Sequence, residues 1–359
     1  MPLYINPDFR RLPSGVAAAF TADAESFFQL PAWYDLMARH GVPSGAETRV
    51  YTDERASSAT AVVLQTQAPG QERRLESLTN AHSLEHGLLY RPAADLQNTL
   101  PAILSEILGE RPRWDCLSLS ELDPTDPSYA ALAGALRHAG LLVECSFSSG
   151  TWYEETSGLS FTDYLAARPP ELRNTWRRKH RKLQETKGLA KRFFVAGDND
   201  IDQAIADYQA VYDASWKPPE FFPAFVPELI RVAAGLRALR LGIYYLDGVP
   251  VAAQLWIVWN GRAYICKLAH DKRFDALSLG TILTMDMFER VLGEDRPREI
   301  NLGRGDDPYK KMWLPKRRER WGMIAANPRT LRGLRLGLRR QAAMIYHRLQ
   351  RAGVVLPGS

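Results

Sequence analysis

Hydrophobic positions along the chain fall into two successive series of the same kind. In the first, Phe27, Phe28, Leu30, Trp33, Tyr34, Met37 and Ala38 recur at helical spacing, so residues 22–41 read as a helix that Pro31 kinks or restarts and Gly41 ends. Residues 47–52 and 60–67 read as two strands of a hairpin, joined by a turn at 53–58. The pattern then predicts a helix over 95–108, a strand over 115–119, a helix over 128–139 closed by Gly140, and a strand over 141–146.

The second series repeats the order. Residues 239–246 and 250–259 form a hairpin about Asp247-Gly248, because Asp-Gly supplies the positive φ angles that tight turns need, and Asn260-Gly261 turns the chain again into a strand at 262–268. Periodicity then lapses until Ser278-Leu279-Gly280-Thr281 opens a helix. Its apolar positions are Leu279, Ile282, Leu283, Met287, Val291 and Leu292, with Gly293 as the stop and a strand at 299–302 beyond. Hairpin, helix and strand recur at an offset of about 185 to 195 residues, as a duplicated domain would leave them. Alternating elements of this kind imply an α/β layer in each half.

Between the two series lie segments of different character. Residues 173–183 are the most charged part of the chain, and Leu172, Trp176, Lys179 and Leu183 give them one helical face. The basic face is either solvated or a contact for a phosphate-bearing partner such as a nucleotide sugar, a lipid phosphate or tRNA. Sequence-specific DNA binding is disfavoured, since no helix-turn-helix pattern accompanies it. A helix over 198–216 carries Ile201, Ile205, Tyr208 and Tyr212, and the loop WKPPEFFPAF at 216–225 follows, its aromatics expected in the core with Trp216 and Phe222 as candidates for a binding wall.

At the end, Leu331, Leu334, Leu338, Ala342, Ile345 and Leu349 recur at helical spacing among seven arginines and one histidine, with no acidic residue after Glu319. Such a helix caps a domain, meets a partner, or lies on an anionic membrane face.

Composition narrows the classes. A chain of 359 residues points to two domains, and 45% hydrophobic with 24% charged residues is ordinary for a globular protein. A net charge of +5 is too small to mark a nucleic-acid protein without a concentrated patch. The three cysteines, Cys116, Cys145 and Cys266, show no C-x-x-C spacing, so neither a disulfide framework nor a zinc site is expected. His82, Glu85 and His86 lack the H-E-x-x-H order, and no Walker or Rossmann glycine pattern occurs. No secretory signal or bilayer-length apolar run is present, so a cytoplasmic protein is expected, with peripheral contact at the inner face of the membrane as one of the roles open to the last helix.

The chemistry concentrates at residues 264–313. A helix start offers backbone N–H groups without acceptors and partial positive charge, so the turn at Ser278 is either an ordinary cap or an anion site. Ser278 and Thr281 add hydroxyls, and Gly280 permits close backbone approach. One helix further on stands Gly303-Arg304-Gly305-Asp306-Asp307-Pro308-Tyr309-Lys310, which reads as a salt-bridged turn or as a catalytic one.

The run LSLGTIL followed by INLGRGDDPYKKMW resembles the acyltransferases of the GNAT superfamily, and its FemAB-like and cellulose-biosynthesis-associated branch in particular. In that branch a Gly-Thr turn opens the cofactor helix and a G-x-G-D-x-x-Y-K segment ends the next strand. The second motif is matched in full, whereas of the broader pattern ahead of the helix only Gly280 is kept.

The resemblance implies two tandem GNAT-like units, each a mixed, mainly antiparallel sheet flanked by helices. Residues 1–157 would be non-catalytic, 158–325 catalytic, and 326–359 the basic amphipathic helix. It implies transfer of an acyl group from acetyl-CoA or another acyl-CoA to an amine, on a sugar or envelope-polysaccharide precursor, without a metal or a covalent intermediate. Tyr309, Asp306 and Asp271 are then the candidate catalytic residues, with His270 and Asp307 beside them. Backbone at Lys267, Leu268 and Ala269 would polarise the thioester, and Ser278, Gly280 and Thr281 would hold the donor pyrophosphate. Arg177, Arg178, Lys182, Trp216, Arg304 and Lys310 are the candidates for acceptor binding. Two other readings stay open: an aminoacyl-tRNA-dependent ligase of FemAB type that grips tRNA with the basic helix, and a non-catalytic scaffold at the membrane surface.

Overall fold

The computed structural model describes residues 3–17, 19–20, 24–53, 59–67, 73–91 and 94–351. In chain order the elements are β1 (Leu3–Ile5), α1 (Ser14–Ala17), α2 (Pro31–His40), β2 (Thr48–Asp53), β3 (Thr60–Thr66), β4 (Arg74–Ser77), β5 (Leu89–Tyr90), α3 (Leu96–Gly109), β6 (Cys116–Leu122) and α4 (Pro127–His138). There follow β7 (Leu142–Glu155), α5 (Phe161–Ala166), α6 (Pro170–Gln184), β8 (Leu189–Phe194), α7 (Ile201–Asp213), α8 (Phe225–Gly235), β9 (Leu239–Leu246), β10 (Val249–Trp259) and β11 (Arg262–His270). The chain closes with α9 (Leu279–Arg290), β12 (Glu299–Arg304), β13 (Lys316–Ala326) and α10 (Leu331–Arg351). Two compact units form: residues 1–22, 28–149 and 319–359 in the first, and 23–27 and 150–318 in the second.

The first unit orders its strands β1-β2-β3-β4-β6-β13. Every pair is antiparallel except β4 with β6, which run parallel from Arg74↔Cys116 to Glu76↔Ser118. α3 and α4 cover one face, burying Leu100, Ile103, Leu104, Leu132 and Leu136 against Val62, Leu64, Leu117 and Met323. Asp95 starts α3 as a helix-capping carboxylate, accepting from the amides of Gln97 (3.1 Å) and Asn98 (3.3 Å).

The second unit has the same order, β8-β9-β10-β11-β12 and then the Gly150–Glu155 part of β7. Again one pair alone is parallel, β11 with β12, at the place corresponding to β4 and β6. The sequence repeat is therefore a repeat of topology. In each unit the final strand comes from the other side of the repeat: β13, late in the chain, pairs with β6, and β7, early in the chain, pairs with β12.

α9 fills the core of the second unit. Leu279, Ile282, Leu283, Met287 and Phe288 are buried with Tyr164, Tyr244 and Trp256, and the Phe288 ring stacks on Tyr164 at 4.3 Å. The expected face of α6 is realised in the same core, with Leu172 and Leu183 buried and Trp176 packed against it. A buried aromatic of this size supplies about 3–5 kcal/mol relative to alanine, so the α9 face anchors the unit.

Both turn readings about the central hairpin hold: Asp247 and Gly248 have φ of 50° and 81°, and Asn260 and Gly261 of 43° and 71°. Pro31 takes the first position of α2, after a separate 3-10 turn at Phe27–Gln29, so the expected long helix is two pieces. Gly293 does not end the helix before β12. The chain continues as a π-helical turn over Val291–Asp295 and stops where Arg296 turns left-handed (φ 47°) ahead of Pro297. Residues 22–23, most of the hairpin turn at 53–58, and the last eight of the expected C-terminal segment lie outside the described residues.

Candidate active site

β11 and β12 are paired over three positions and then part. The registers are Arg262↔Glu299, Ala263↔Ile300 and Tyr264↔Asn301, after which β11 runs on to His270 beside β10 and β12 runs on to Arg304 beside β7. A bulge in the β10–β11 ladder at Leu255/Trp256 lies where they separate. Among the described residues no strand pairs with β11 beyond Tyr264 on the β12 side, so the stretch through Lys267, Leu268 and Ala269 borders a cleft in the sheet.

The start of α9 stands over the end of β11. Asp271 caps a 3-10 turn over Lys272–Leu277, which ends at Ser278 in a left-handed conformation (φ 57°). Ser278 makes no side-chain cap, and its carbonyl receives the amide of Ile282 at 3.2 Å. The amides of Leu279, Gly280 and Thr281 are left without a backbone acceptor among the described residues. A Cβ at Gly280 would meet His270 Nδ1 at 3.2 Å and the Leu268 side chain at 3.7 Å. His270 Nδ1 is itself buried without a hydrogen-bond partner, while its Nε2 lies 2.8 Å from Asp275. Orphaned amides and a glycine cradle converge here, and they fit an anionic group.

The turn after β12 is built on two glycines in left-handed space, Gly303 (φ 69°) and Gly305 (φ 116°). The Gly303 amide donates to Asn301 Oδ1 at 2.8 Å, and the Gly305 amide to the carbonyl of Gly150 at 3.0 Å. Asp306 rests on Gly150 and is gripped by Arg317, whose Nη2 and Nε lie 2.7 and 2.9 Å from its two oxygens. The guanidinium holds this carboxyl below the usual range, so Asp306 stays an anion and is poorly suited to the base role expected of it. Lys310 is not a surface contact for an acceptor: its ammonium is buried and donates to the carbonyls of Arg304 (2.7 Å) and Gly305 (3.3 Å), closing the turn. Arg168, buried against Tyr164, anchors the end of this segment at the Trp313 carbonyl.

That scaffold displays Tyr309, which is half-exposed at 50% on the 3-10 turn Pro308–Met312, with Arg304 also on the surface. Burial, with the Asp307 charge second, raises the phenol, so it remains a proton donor at neutral pH. Asp271, by contrast, serves the backbone. It accepts from the Arg273 amide at 2.9 Å and from that guanidinium at 2.5 Å, and the hydrogen bond to Arg273 lowers its pKa, which argues against a base. Cys266 is no nucleophile either, since burial pushes its thiol up to about 12.

The group that pattern reading missed is Lys217. Trp216, 48% exposed, sets its ring 4.6 Å from that of His270, and Lys217 follows it into the site. Lys217 Nζ lies 6.0 Å from the Tyr212 ring centre, and Lys267 Nζ lies 5.8 Å from the same centre. Lys267 is bound to Glu220 at 2.5 Å, whereas Lys217 has no carboxylate within ion-pair distance among the described residues. Burial first, then the Lys267 charge, brings Lys217 down to about 8. No sequence motif marks it, because its neighbours come from α7, β11 and the turn after β12.

Arg177, Arg178 and Lys182 are exposed on α6, and neither they nor Arg181 have a carboxylate partner among the described residues. They face away from the buried side of the helix. Its link to the site is Lys179, which donates to the Ala276 carbonyl at 2.7 Å just ahead of α9. Among the described residues no group of acidic, histidine or cysteine side chains is arranged to hold a metal ion, and no helix is long and apolar enough to cross a membrane.

Residues 170–311 match the family model of the acetyltransferase (GNAT) domain. No curated protein matches the chain. Among solved structures, FemX is similar at a TM-score of 0.58 and 9% identity, covering 90% of this chain and 97% of that one. L-PGS from Bacillus licheniformis gives 0.51 and 11%, covering 92% and 96%. A tandem GNAT protein from the clavulanic acid biosynthesis pathway gives 0.50 and 14%, covering 91% and 99%. At these identities the structures share a fold. The matched region contains the parted strands, the open helix start and the glycine turn: residues 170–311 are similar to the acetyltransferase (GNAT) domain, and the chain shares its fold with a tandem GNAT protein.

Proposed function

We propose that the second unit moves an acyl group from acyl-CoA to an amine, on a sugar or envelope-polysaccharide precursor. The observation that carries this reading is the parting of β11 from β12 beside the unpaired amides of Leu279, Gly280 and Thr281. Those amides hold the donor's pyrophosphate, and the free edge of β11 at Lys267–Ala269 receives the thioester carbonyl. Lys217 takes the proton from the acceptor ammonium; the amine then attacks the carbonyl carbon, the C–S bond breaks as Tyr309 protonates the departing thiolate, and the surplus proton on the new amide nitrogen returns to the Tyr309 phenolate. Asp306, held by Arg317, keeps the turn that displays Tyr309 in place. The acceptor class comes from the sequence resemblance. Titration calorimetry with acetyl-CoA and longer acyl-CoAs tests the donor: saturable binding is expected, and no binding to any of them overturns it.

A second reading is favoured by the exposed cations of α6, Arg177, Arg178, Arg181 and Lys182, which have no carboxylate partner among the described residues, together with the fold shared with FemX. In it the donor is an aminoacyl-tRNA and the basic face meets the RNA backbone. Salt-sensitive tRNA binding lost in the Arg177→Ala/Arg178→Ala/Lys182→Ala variant would select this donor over acyl-CoA.

A further inference from the structure

α10 is docked the opposite way round from an ordinary amphipathic helix. At about 100° per residue, Gly333, Leu336, Gly337 and Arg340 share one face, and Leu331, Leu334 and Leu338 share the opposite one. The glycine face is the docked face. A Cβ at Gly333 would lie 2.2 Å from the Asn327 carbonyl and 2.5 Å from that of Asp115, and one at Gly337 would lie 2.4 Å from Leu142. Arg340 adds an ion pair with Glu144 at 3.1 Å. The leucine face is left in solvent, with Leu331 77% exposed and Leu338 55%.

Charge identifies what this face meets. Arg335 and Arg339 border the leucines, are exposed, and have no carboxylate partner among the described residues. No acidic residue occurs after Glu319, so the helix presents an apolar stripe beside uncompensated positive charge. A protein interior would match the leucines and leave the guanidinium groups desolvated, whereas an anionic bilayer surface matches both, taking the leucines into the acyl boundary and the arginines into the headgroup layer. We propose that the leucine face of α10 docks the protein on an anionic lipid surface. The proposal does not depend on the chemistry of the second unit.

Co-sedimentation of the full chain with phosphatidylglycerol-containing and pure phosphatidylcholine vesicles tests it. Binding is expected to the anionic vesicles, to weaken with added salt, and to fall about tenfold or more in Leu334→Glu/Leu338→Glu. The Arg335→Gln/Arg339→Gln variant retains the leucines and is expected to lose the preference for anionic lipid. Both changes are at exposed positions, so unchanged thermal unfolding verifies that the fold is intact. Absence of vesicle binding, equal binding to both lipids, or a leucine-dependent dimer by light scattering without vesicle binding would overturn the proposal.

Discussion

Gly150 is the floor on which the Asp306 carboxylate rests: a Cβ there would lie 2.8 Å from Asp306 Cγ and 2.9 Å from Oδ1. Gly150 has no positive φ, so alanine is allowed by its backbone, and the nearest atoms its Cβ would meet are those of the Asp306 carboxylate. Gly150→Ala is therefore expected to push Asp306 off Arg317 and tilt the turn that carries Tyr309. Thiol release from acyl-CoA should fall about tenfold or more, with a stability loss of about 1–3 kcal/mol. Adding Asp306→Asn should cost little more, because both changes act on the same contact; full additivity in a double-mutant cycle would show that they do not.

Lys217 gives the site a pH signature. With its folded value near 8, the neutral amine grows as pH rises through 8, and acyl transfer should rise with it. Lys217→Met should lose that rise. Stability should move the same way: between about 8 and the unfolded value of 10.5 the unfolded chain binds the extra proton, so the wild type gains stability with rising pH across that window. Identical stability slopes in Lys217→Met and wild type would show that the lysine is not depressed.

Asp271 is expected to matter for folding. Its lowered pKa means that the stabilisation is full above the unfolded carboxylate value of 3.8 and is lost as pH falls through the folded one. Asp271→Asn should cost about 1 kcal/mol near neutrality, as loss of a cap does, and the difference from wild type should close in acid. A large fall in turnover with unchanged melting would return Asp271 to the catalytic set.

Gly280 separates donor binding from the later steps. A valine there would drive its branched side chain into His270 Nδ1 and Leu268, which already stand 3.2 and 3.7 Å from the Cβ position. Calorimetry should show acyl-CoA affinity reduced by about tenfold or more, while tRNA binding through α6, if present, is unchanged.

Much of this was legible in the sequence where one local rule decides the outcome. Asp247-Gly248 and Asn260-Gly261 announce their turns because few residues accept those φ angles, and the spacing of Leu172, Trp176 and Leu183 announces the docked face of α6. β13 escaped because its first five residues are Lys316, Arg317, Arg318, Glu319 and Arg320, so polarity does not alternate along them. Arg320 is nonetheless buried, between Glu85 and Asp123, and Arg318 pairs with Glu299. In the site, Gly280, Gly303 and Gly305 could be singled out from their neighbours alone. The state of Asp271, Asp306 and Lys310 depends on which partner reaches them, and Lys217 is set first by its burial and then by Lys267, fifty positions away.

The exchange of final strands has a consequence for biosynthesis. β6, which pairs with β4 on one side, acquires its second neighbour only when Trp321–Ala326 is made, about two hundred residues after β6 itself. Until then the first unit carries an open strand edge, and β7, already synthesised, waits for β12. The halves of this chain are thus one folding transaction, and a cut between the two repeats would leave two fragments that each lack a strand.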